Sequence, residues 1–140
     1  MQPKPFEFVA HTADVAVLIR GHNLAELLCN AAAALYSLVM GAPSAAATLR
    51  RAVAINSVDN DALLVDWLNE LIYLLFVEHL AFSAFQFDEL ANGRLVAQCC
   101  GEHLAPPDLH LIREVKAATH HMAHIAPAAG GFVARIVFDV

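Results

Sequence analysis

The sequence predicts an α+β fold in which two helices pack on a mostly antiparallel sheet, within a single domain that spans residues 1–140. Two long segments have the apolar spacing of helices, and several shorter segments have the composition and alternation of strands. Two glycine-containing turns join neighbouring strands into hairpins. The sequence shows no internal repeat and no long linker, so one domain accounts for its length.

The first two predicted strands are Glu7 to Ala10 and Val15 to Arg20. The second is a run of valine, leucine and isoleucine, as expected for a strand that is buried on both faces. The polar segment His11 to Asp14 separates the two strands, and a short polar segment in such a place is usually a turn. On spacing alone, Asp14 therefore indicates no particular chemistry.

The first predicted helix begins at Asn23, because Glu26 completes a capping-box pattern three residues later. Leucine and alanine then recur at helical spacing until Gly41 and Pro43, which end the helix. A strand from Leu49 to Ser57 follows, and its alternating residues face opposite sides.

The second predicted helix, Asp61 to Leu80, is the element around which we expect the rest of the chain to fold. Asp59 or Asn60 caps its first turn, and most of its positions are apolar. Its polar side chains share one narrow stripe: Asp66, Asn69, Glu70 and Tyr73. In a lipid bilayer Asp66 alone would cost about 2.5–3.5 kcal/mol, so we predict a buried helix of a soluble protein and no membrane span.

A hairpin follows this helix, because Asn92-Gly93 is a strong signal for a two-residue turn. The turn joins a strand from Phe82 to Leu90 to a strand from Arg94 to Gly101. Cys99 and Cys100 point to opposite faces of the second strand, so we expect them to pack rather than to form a disulfide.

A second hairpin is predicted in the last part of the sequence. A loop from Leu104 to Asp108, which contains Pro106-Pro107, precedes a strand from Glu114 to Ile125. The turn Gly130-Gly131 then leads into the last strand, Phe132 to Val140.

Composition narrows the class of protein. The chain is 59% hydrophobic and 16% charged, so we expect a large core together with some apolar surface that meets a partner. The net charge of −6 and the presence of only two lysines, Lys4 and Lys116, argue against tight binding of nucleic acid. Cysteines without CxxC spacing, and an N-terminal segment without the apolar run of a signal peptide, indicate a reducing cytoplasm.

Three histidines, His120, His121 and His124, raise the question of a zinc site. On a regular strand His120 and His124 share a face while His121 lies opposite, and no close-set third ligand is evident. Ordinary surface or half-buried histidines are the better interpretation. The sequence also lacks the P-loop, dinucleotide-binding, nucleophile-elbow and HExxH motifs, so nucleotide binding and hydrolase chemistry have no local support.

Five blocks of the sequence together resemble the archease family. They are HTAD at 11–14, LLVDWLNELIY at 63–73, the Gly101-Glu102 pair, EVKAATHH at 114–121 and ARIVFDV at 134–140. The blocks occur in the family's order and span almost the whole chain, which makes the resemblance specific although each block is short.

The resemblance implies a small cytoplasmic accessory protein of the RtcB-type RNA ligase, the enzyme that joins cyclic-phosphate RNA ends with GTP. Archeases are not themselves ligases. They promote guanylylation of the ligase's active-site histidine, allow multiple turnover and broaden which nucleotide is accepted. The functional residues carried over to this sequence are Asp14 from HTAD, Lys116 from EVKA and Asp139 from the terminal FDV.

The resemblance further implies that Asp14 and Asp139 bind a divalent cation, with the terminal carboxylate of Val140 as a further candidate ligand. Carboxylates suit Ca²⁺, Mg²⁺ or Mn²⁺ rather than a thiophilic metal, and without a cation they would repel each other. His11 and His120 are candidates for the shell around the ligands, and each is equally well explained as a structural or surface histidine.

This chain departs from the family's pattern at two places. His120 stands where the family often has an aromatic residue, and Leu109-His110 replaces a common Arg-His pair. These departures concern contacts at the rim of the site more than the cation itself.

Two other functions remain as alternatives. Archeases have also been proposed to act as chaperone-like modulators of a tRNA methyltransferase. In a stand-alone metal-dependent phosphoesterase, a cation on Asp14 and Asp139 would activate water while Lys116 stabilised developing charge. A hydrolase also needs a positioned base and a substrate cleft, so we expect the protein not to be an enzyme.

Overall fold

A computed structural model of the chain describes residues 4–9, 14–41, 46–104 and 110–140. It contains the helices α1 (Leu24–Met40) and α2 (Asn60–Phe76) and the strands β1 (Phe6–Val9), β2 (Val15–Gly21), β3 (Leu49–Asn56), β4 (Leu80–Ala91), β5 (Arg94–His103), β6 (Ala117–Ala128) and β7 (Gly131–Asp139). Within the described residues the strands form two antiparallel sheets, in the orders β1-β2-β7-β6 and β3-β5-β4. The predicted α+β fold is confirmed, although its strands divide between two sheets.

Several predicted features lie outside the described residues. They are the segment His11 to Ala13, Pro43, and the loop around Pro106-Pro107 together with Leu109.

Both helices begin where the sequence predicts. Asn23 caps α1, and its Oδ1 accepts a hydrogen bond from the N–H of Glu26 at 2.8 Å. Asp59 caps α2, and its Oδ1 accepts from the N–H of Ala62 at 2.8 Å. Gly41 ends α1 in the left-handed region, with φ of 82°. These ends are set by side chains next to them in sequence, which is why they can be predicted locally.

The predicted end of the second helix at Leu80 is wrong, because α2 ends at Phe76. His79 adopts a left-handed backbone conformation with φ of 58°, and Leu80 then pairs with His103 as the first residue of β4. Residues 77–80 mix two apolar and two polar side chains, so their spacing does not decide between a helix and a strand. Pairing with β5, which is distant in sequence, decides between them.

The strand predicted over Glu114 to Ile125 is shifted and irregular. β6 begins and ends three residues later, and a bulge interrupts its pairing with β7. Thr119 pairs with Val137 and His124 pairs with Arg135, so five residue steps along β6 oppose two along β7. The regular alternation assumed for the three histidines is therefore absent.

The core joins the helices to both sheets. α1 packs against β2 and β4, and α2 packs against β6 and β4. Trp67 is fully buried, and its Nε1 donates to the carbonyl of Leu28 at 3.0 Å, which ties α2 to α1. The hydroxyl of Tyr36 accepts from the N–H of Phe82 at 3.2 Å and ties α1 to β4. In the described part of the chain, no helix is long and apolar enough to cross a membrane.

Cys99 and Cys100 lie on opposite faces of β5, as predicted. Cys99 is buried and Cys100 is half-buried, and both are free thiols. Burial, with smaller effects from Cys100 and Cys29, raises the pKa of the Cys99 thiol to about 12. A thiol with this pKa stays protonated and unreactive at neutral pH, so Cys99 contributes by packing.

Candidate functional site

The three residues carried over from the family lie at the same end of the four-stranded sheet. Asp14 directly precedes β2, Asp139 is the last residue of β7, and Lys116 directly precedes β6. Val15 pairs with Phe138, so Asp14 and Asp139 are the next residues beyond the last pair of that ladder. The fold therefore brings together three residues that are far apart in sequence.

The strands β6 and β7 hold Lys116 and Asp139 in a fixed relation. Ala117 pairs with Asp139, and the backbone N–H of Lys116 donates to the carbonyl of Asp139 at 2.8 Å. The side chains of Lys116 and Asp139 are exposed, whereas Asp14 is half-buried. The side chains of Lys116 and Asp139 thus face solvent, while a hydrogen bond between their backbones fixes their positions.

Apolar neighbours fix Lys116 and Asp139 of the site. Phe138 is fully buried and Val115 is 2% exposed, so the chain is anchored in the core directly before Asp139 and directly before Lys116. Val140, the residue after Asp139, packs against the same core. Because successive strand residues face opposite sides, burying Phe138 turns Asp139 outward.

A polar seam, which the sequence did not predict, joins α2 to β6. We define this α2–β6 seam by the side chains of Asp61, Asp66 and Asn69. Asn69 accepts from the N–H of Ala118 at 2.8 Å and donates to its carbonyl at 3.0 Å. Asp61 accepts from the N–H of Ile125 at 2.8 Å. For Asp66 and Asn69 the signal in the sequence was the polar stripe along an otherwise apolar helix, but the stripe alone does not show which strand it meets.

Two histidines of β6 also approach this seam. His124 Nδ1 lies 2.9 Å from Asp61 Oδ2, and His120 Nε2 lies 4.0 Å from Asp66 Oδ1. Partial burial acts to raise the pKa of Asp61, but the hydrogen bonds from His124 and Ile125 outweigh it, so the pKa lies below its ordinary value. His124 therefore joins β6 to α2 through a hydrogen bond, whereas His120 lies only at the limit of ion-pair distance from Asp66.

The metal-binding potential of the described residues is limited. Among them, no group of three or more His, Cys, Asp or Glu side chains is arranged to hold a metal ion. His11, one of the candidates for the surrounding shell, lies outside the described residues. A cation bound by Asp14 and Asp139 thus stays a prediction.

A concavity lies elsewhere in the molecule. It has a volume of about 610 Å³ and is lined by residues that include Arg20, His22, Glu26 and Phe132. Gly21 pairs with Phe132 at the end of the β2–β7 ladder opposite to Val15 and Phe138. The concavity and the candidate site therefore occupy opposite ends of one sheet.

Solved structures share this α+β fold. The solution structure of Methanobacterium thermoautotrophicum protein 1598 is 32% identical, with a TM-score of 0.70 over 97% of this chain and 99% of that one. The crystal structure of an archease from Thermotoga maritima matches with a TM-score of 0.63 over 100% of this chain and 98% of its own. At 21% identity this second likeness shows the fold alone.

The family follows from sequence comparison. Residues 6–140 match the model of the archease protein family (MTH1598/TM1083). The archease of Methanosarcina mazei is 33% identical over 99% of this chain and 98% of its own length, and that of Methanothermobacter thermautotrophicus is 37% identical over 98% and 99%. The chain belongs to the archease family, as the five sequence blocks predicted.

Proposed function

We propose that this protein is an accessory protein of an RtcB-type RNA ligase and not an enzyme itself. The observation that carries the proposal is the meeting of Asp14, Lys116 and Asp139 at one end of the four-stranded sheet. Residues so distant in sequence share one place in the fold, and the family associates all three with activation of the ligase. The protein would promote guanylylation and repeated turnover of its partner in the cytoplasm.

In this proposal Asp14 and Asp139 hold a divalent cation. Carboxylate oxygens are hard ligands that suit Ca²⁺, Mg²⁺ or Mn²⁺ at ligand distances of about 2.0–2.6 Å. The carboxylate of Val140 is a further candidate ligand, and water would complete the coordination. The cation would offset the repulsion between two neighbouring carboxylates and present positive charge at the exposed end of the sheet.

Lys116 has a different role in the proposal. An ammonium group repels a metal cation, so Lys116 is poorly suited to a place next to the metal ligands. Its exposed side chain is instead suited to a phosphate or an acidic group on the partner, as a mobile point charge. The site would thus combine a bound cation and a lysine, both directed at negative charge on the ligase or its nucleotide.

Multiple-turnover ligation tests the proposal. The cognate ligase is assayed with an excess of cyclic-phosphate RNA and GTP, with and without this protein, and with the Asp14→Ala variant. We expect the wild-type protein to restore turnover and the variant to fail. Asp88→Ala is a matched control, since Asp88 is an exposed aspartate on β4 in the other sheet.

The same assay separates the alternatives. The Thermotoga maritima archease is described as a possible chaperone. A chaperone-like modulator of a tRNA methyltransferase would leave ligase turnover unchanged and alter the methyltransferase instead. Hydrolysis of the cyclic-phosphate RNA by this protein alone, dependent on added Mg²⁺ or Mn²⁺, would identify a phosphoesterase.

A further inference from the structure

We propose that Asn69 is a positioning residue for the candidate site, because its side-chain amide fixes the start of β6 and so holds Lys116 beside Asp139. This inference rests on the proposed function for the role of Lys116. The hydrogen bonds on which it depends are features of the fold.

β6 is the outermost strand of its sheet, and its free edge faces α2. A helix cannot offer its backbone to such an edge, because its own N–H and C=O groups are already paired. The amide of Asn69 takes the place of a neighbouring strand. It accepts from the N–H of Ala118 at 2.8 Å and donates to the carbonyl of Ala118 at 3.0 Å, so both backbone groups are satisfied by one side chain.

The residue that Asn69 holds belongs to the row next to the site. Ala118 pairs with Phe138, and Phe138 pairs with Val15, so one row of residues crosses β6, β7 and β2. The next row towards the end of the sheet contains Ala117 and Asp139. Asn69 thus anchors the outer end of the last complete row before the candidate site.

The bulge makes this anchor important. At the start of β6, three residues pair with β7: Ala117, Ala118 and Thr119. Pairing then stops and resumes at His124. The bulge therefore separates the short segment next to Lys116 from the longer paired part of the strand. Few ladder bonds remain on its inner side, and Asn69 supplies two more on its outer side.

A second anchor on the same helix shows why the strand bulges and provides a control. Asp61 accepts a hydrogen bond from the N–H of Ile125. Asp61 precedes Asn69 by eight residues, so the two lie about 12 Å apart along the helix axis. The chain from Ala118 to Ile125 would span about 23 Å if extended. The excess length forms the bulge, where Met122 is 69% exposed with φ of 55°. Both anchors join α2 to β6, but only the one at Asn69 lies on the side of the bulge that carries Lys116.

Amide hydrogen exchange tests the positioning directly. Asn69→Leu removes both hydrogen bonds at similar volume, and Asp61→Leu removes the anchor beyond the bulge. We expect Asn69→Leu to speed exchange of the Lys116 amide about tenfold or more, and Asp61→Leu to change it no more than about twofold, after correction for global stability. Equal acceleration in the two variants would show that Asn69 only stabilises the fold. Asn69→Asp keeps the oxygen that accepts from the N–H of Ala118, so the Lys116 amide should exchange at an intermediate rate in this variant. This variant replaces Asn69→Leu in the test if Asn69→Leu does not fold.

Ligase stimulation tests the functional consequence with a double-mutant cycle. If Asn69 acts through Lys116, Asn69→Leu should reduce stimulation and Lys116→Ala should reduce it no further in the double variant. Fully additive losses, or full stimulation by a folded Asn69→Leu variant, would overturn the inference. If the wild-type protein does not stimulate the ligase, the proposed function fails, whereas the exchange rates still decide whether Asn69 positions Lys116.

Discussion

Two carboxylates carry the proposed cation, and removing either should separate function from folding. Asp14→Ala and Asp139→Ala should each abolish ligase stimulation, because one carboxylate is a poor site for a divalent ion. Neither residue belongs to the apolar core, and removing one of two neighbouring carboxylates need not destabilise the apo protein. We expect melting temperatures within a few degrees of wild type and loss of Mn²⁺ binding by titration.

Full stimulation by Asp14→Ala would show that Asp14 is only a structural turn residue, and full stimulation by Asp139→Ala would show that Asp139 is not needed for function. Loss of stimulation together with a large fall in melting temperature would instead assign the residue a structural role. Asp88→Ala should leave both Mn²⁺ affinity and stimulation at wild-type values.

Lys116 should respond differently from the aspartates. Lys116→Ala should impair ligase stimulation while Mn²⁺ affinity stays within about twofold of wild type, since lysine is not a metal ligand. Lys116→Arg keeps the positive charge but replaces the ammonium with a guanidinium. Ligase stimulation by this variant shows whether any positive group suffices or an ammonium is required. A fall in Mn²⁺ affinity in Lys116→Ala equal to that in Asp139→Ala would contradict this division of roles.

The contact between Asp61 and His124 gives a pH-dependent contribution to stability. The pKa of Asp61 is lowered in the folded state, so the unfolded state binds more protons and the contribution is lost as pH falls. Asp61→Asn keeps the acceptor for Ile125 but removes the charge. We expect it to lower the free energy of unfolding at pH 7 by about 0.5–1.5 kcal/mol.

This difference between wild type and Asp61→Asn should begin to shrink as pH drops below about 4, where the unfolded carboxyl takes up a proton, and should vanish once the pH passes the lowered pKa of the folded carboxyl. Urea denaturation at pH 7 and at pH 3 measures it. A difference that stays constant between these two values would show that the charge of Asp61 does not contribute.

Sequence reasoning and the resemblance contributed different parts of the candidate site. Spacing alone treats Asp14 as a turn residue and gives no reason to pair it with Asp139. The resemblance named these residues together with Lys116, and the ladder between β2 and β7 supplied the reason that they meet. The hydrogen bonds between Asn69 and Ala118 could not be predicted, because a polar stripe on a helix does not specify which strand it contacts.

Among the secondary-structure elements, β5 makes a close approach to β4 that explains the glycine of the Gly101-Glu102 block. A Cβ atom at Gly101 would lie 1.9 Å from the carbonyl oxygen of Ala81, which is a backbone atom that cannot rotate away. Gly101→Ala should therefore force the two strands apart and cost about 1–3 kcal/mol or more in free energy of unfolding. Chemical denaturation measures the loss, and a cost below ~0.5 kcal/mol would show that the strands separate easily.

Element boundaries were predictable where the determinant is local. The caps at Asn23 and Asp59, and the turn at Asn92-Gly93 with φ of 53° and 80°, follow from side chains and glycine next to the boundary. The end of α2 and the bulge in β6 were missed, because each depends on a partner strand or helix distant in sequence. The division into two sheets was missed for the same reason.

For the molecule as a whole, charge limits the partners. With a net charge of −6, the protein should not bind RNA tightly, because such binding draws on clustered Lys and Arg that release counterions. We expect no saturable binding of a labelled cyclic-phosphate RNA up to tens of micromolar protein by fluorescence anisotropy. A micromolar complex that weakens steeply with salt would contradict this expectation.

The ladder between β2 and β7 joins Val15 to Phe138, and so closes the chain between these two residues into one long loop. Contacts of such high sequence separation form late, since the entropy of closing a long loop has to be offset by structure already in place. During synthesis on the ribosome, Asp14 emerges long before β7 and gains Asp139 as a neighbour only after β7 has left the exit tunnel. A nascent fragment that lacks β7 therefore lacks the candidate site, and under the proposed function it would not stimulate the ligase.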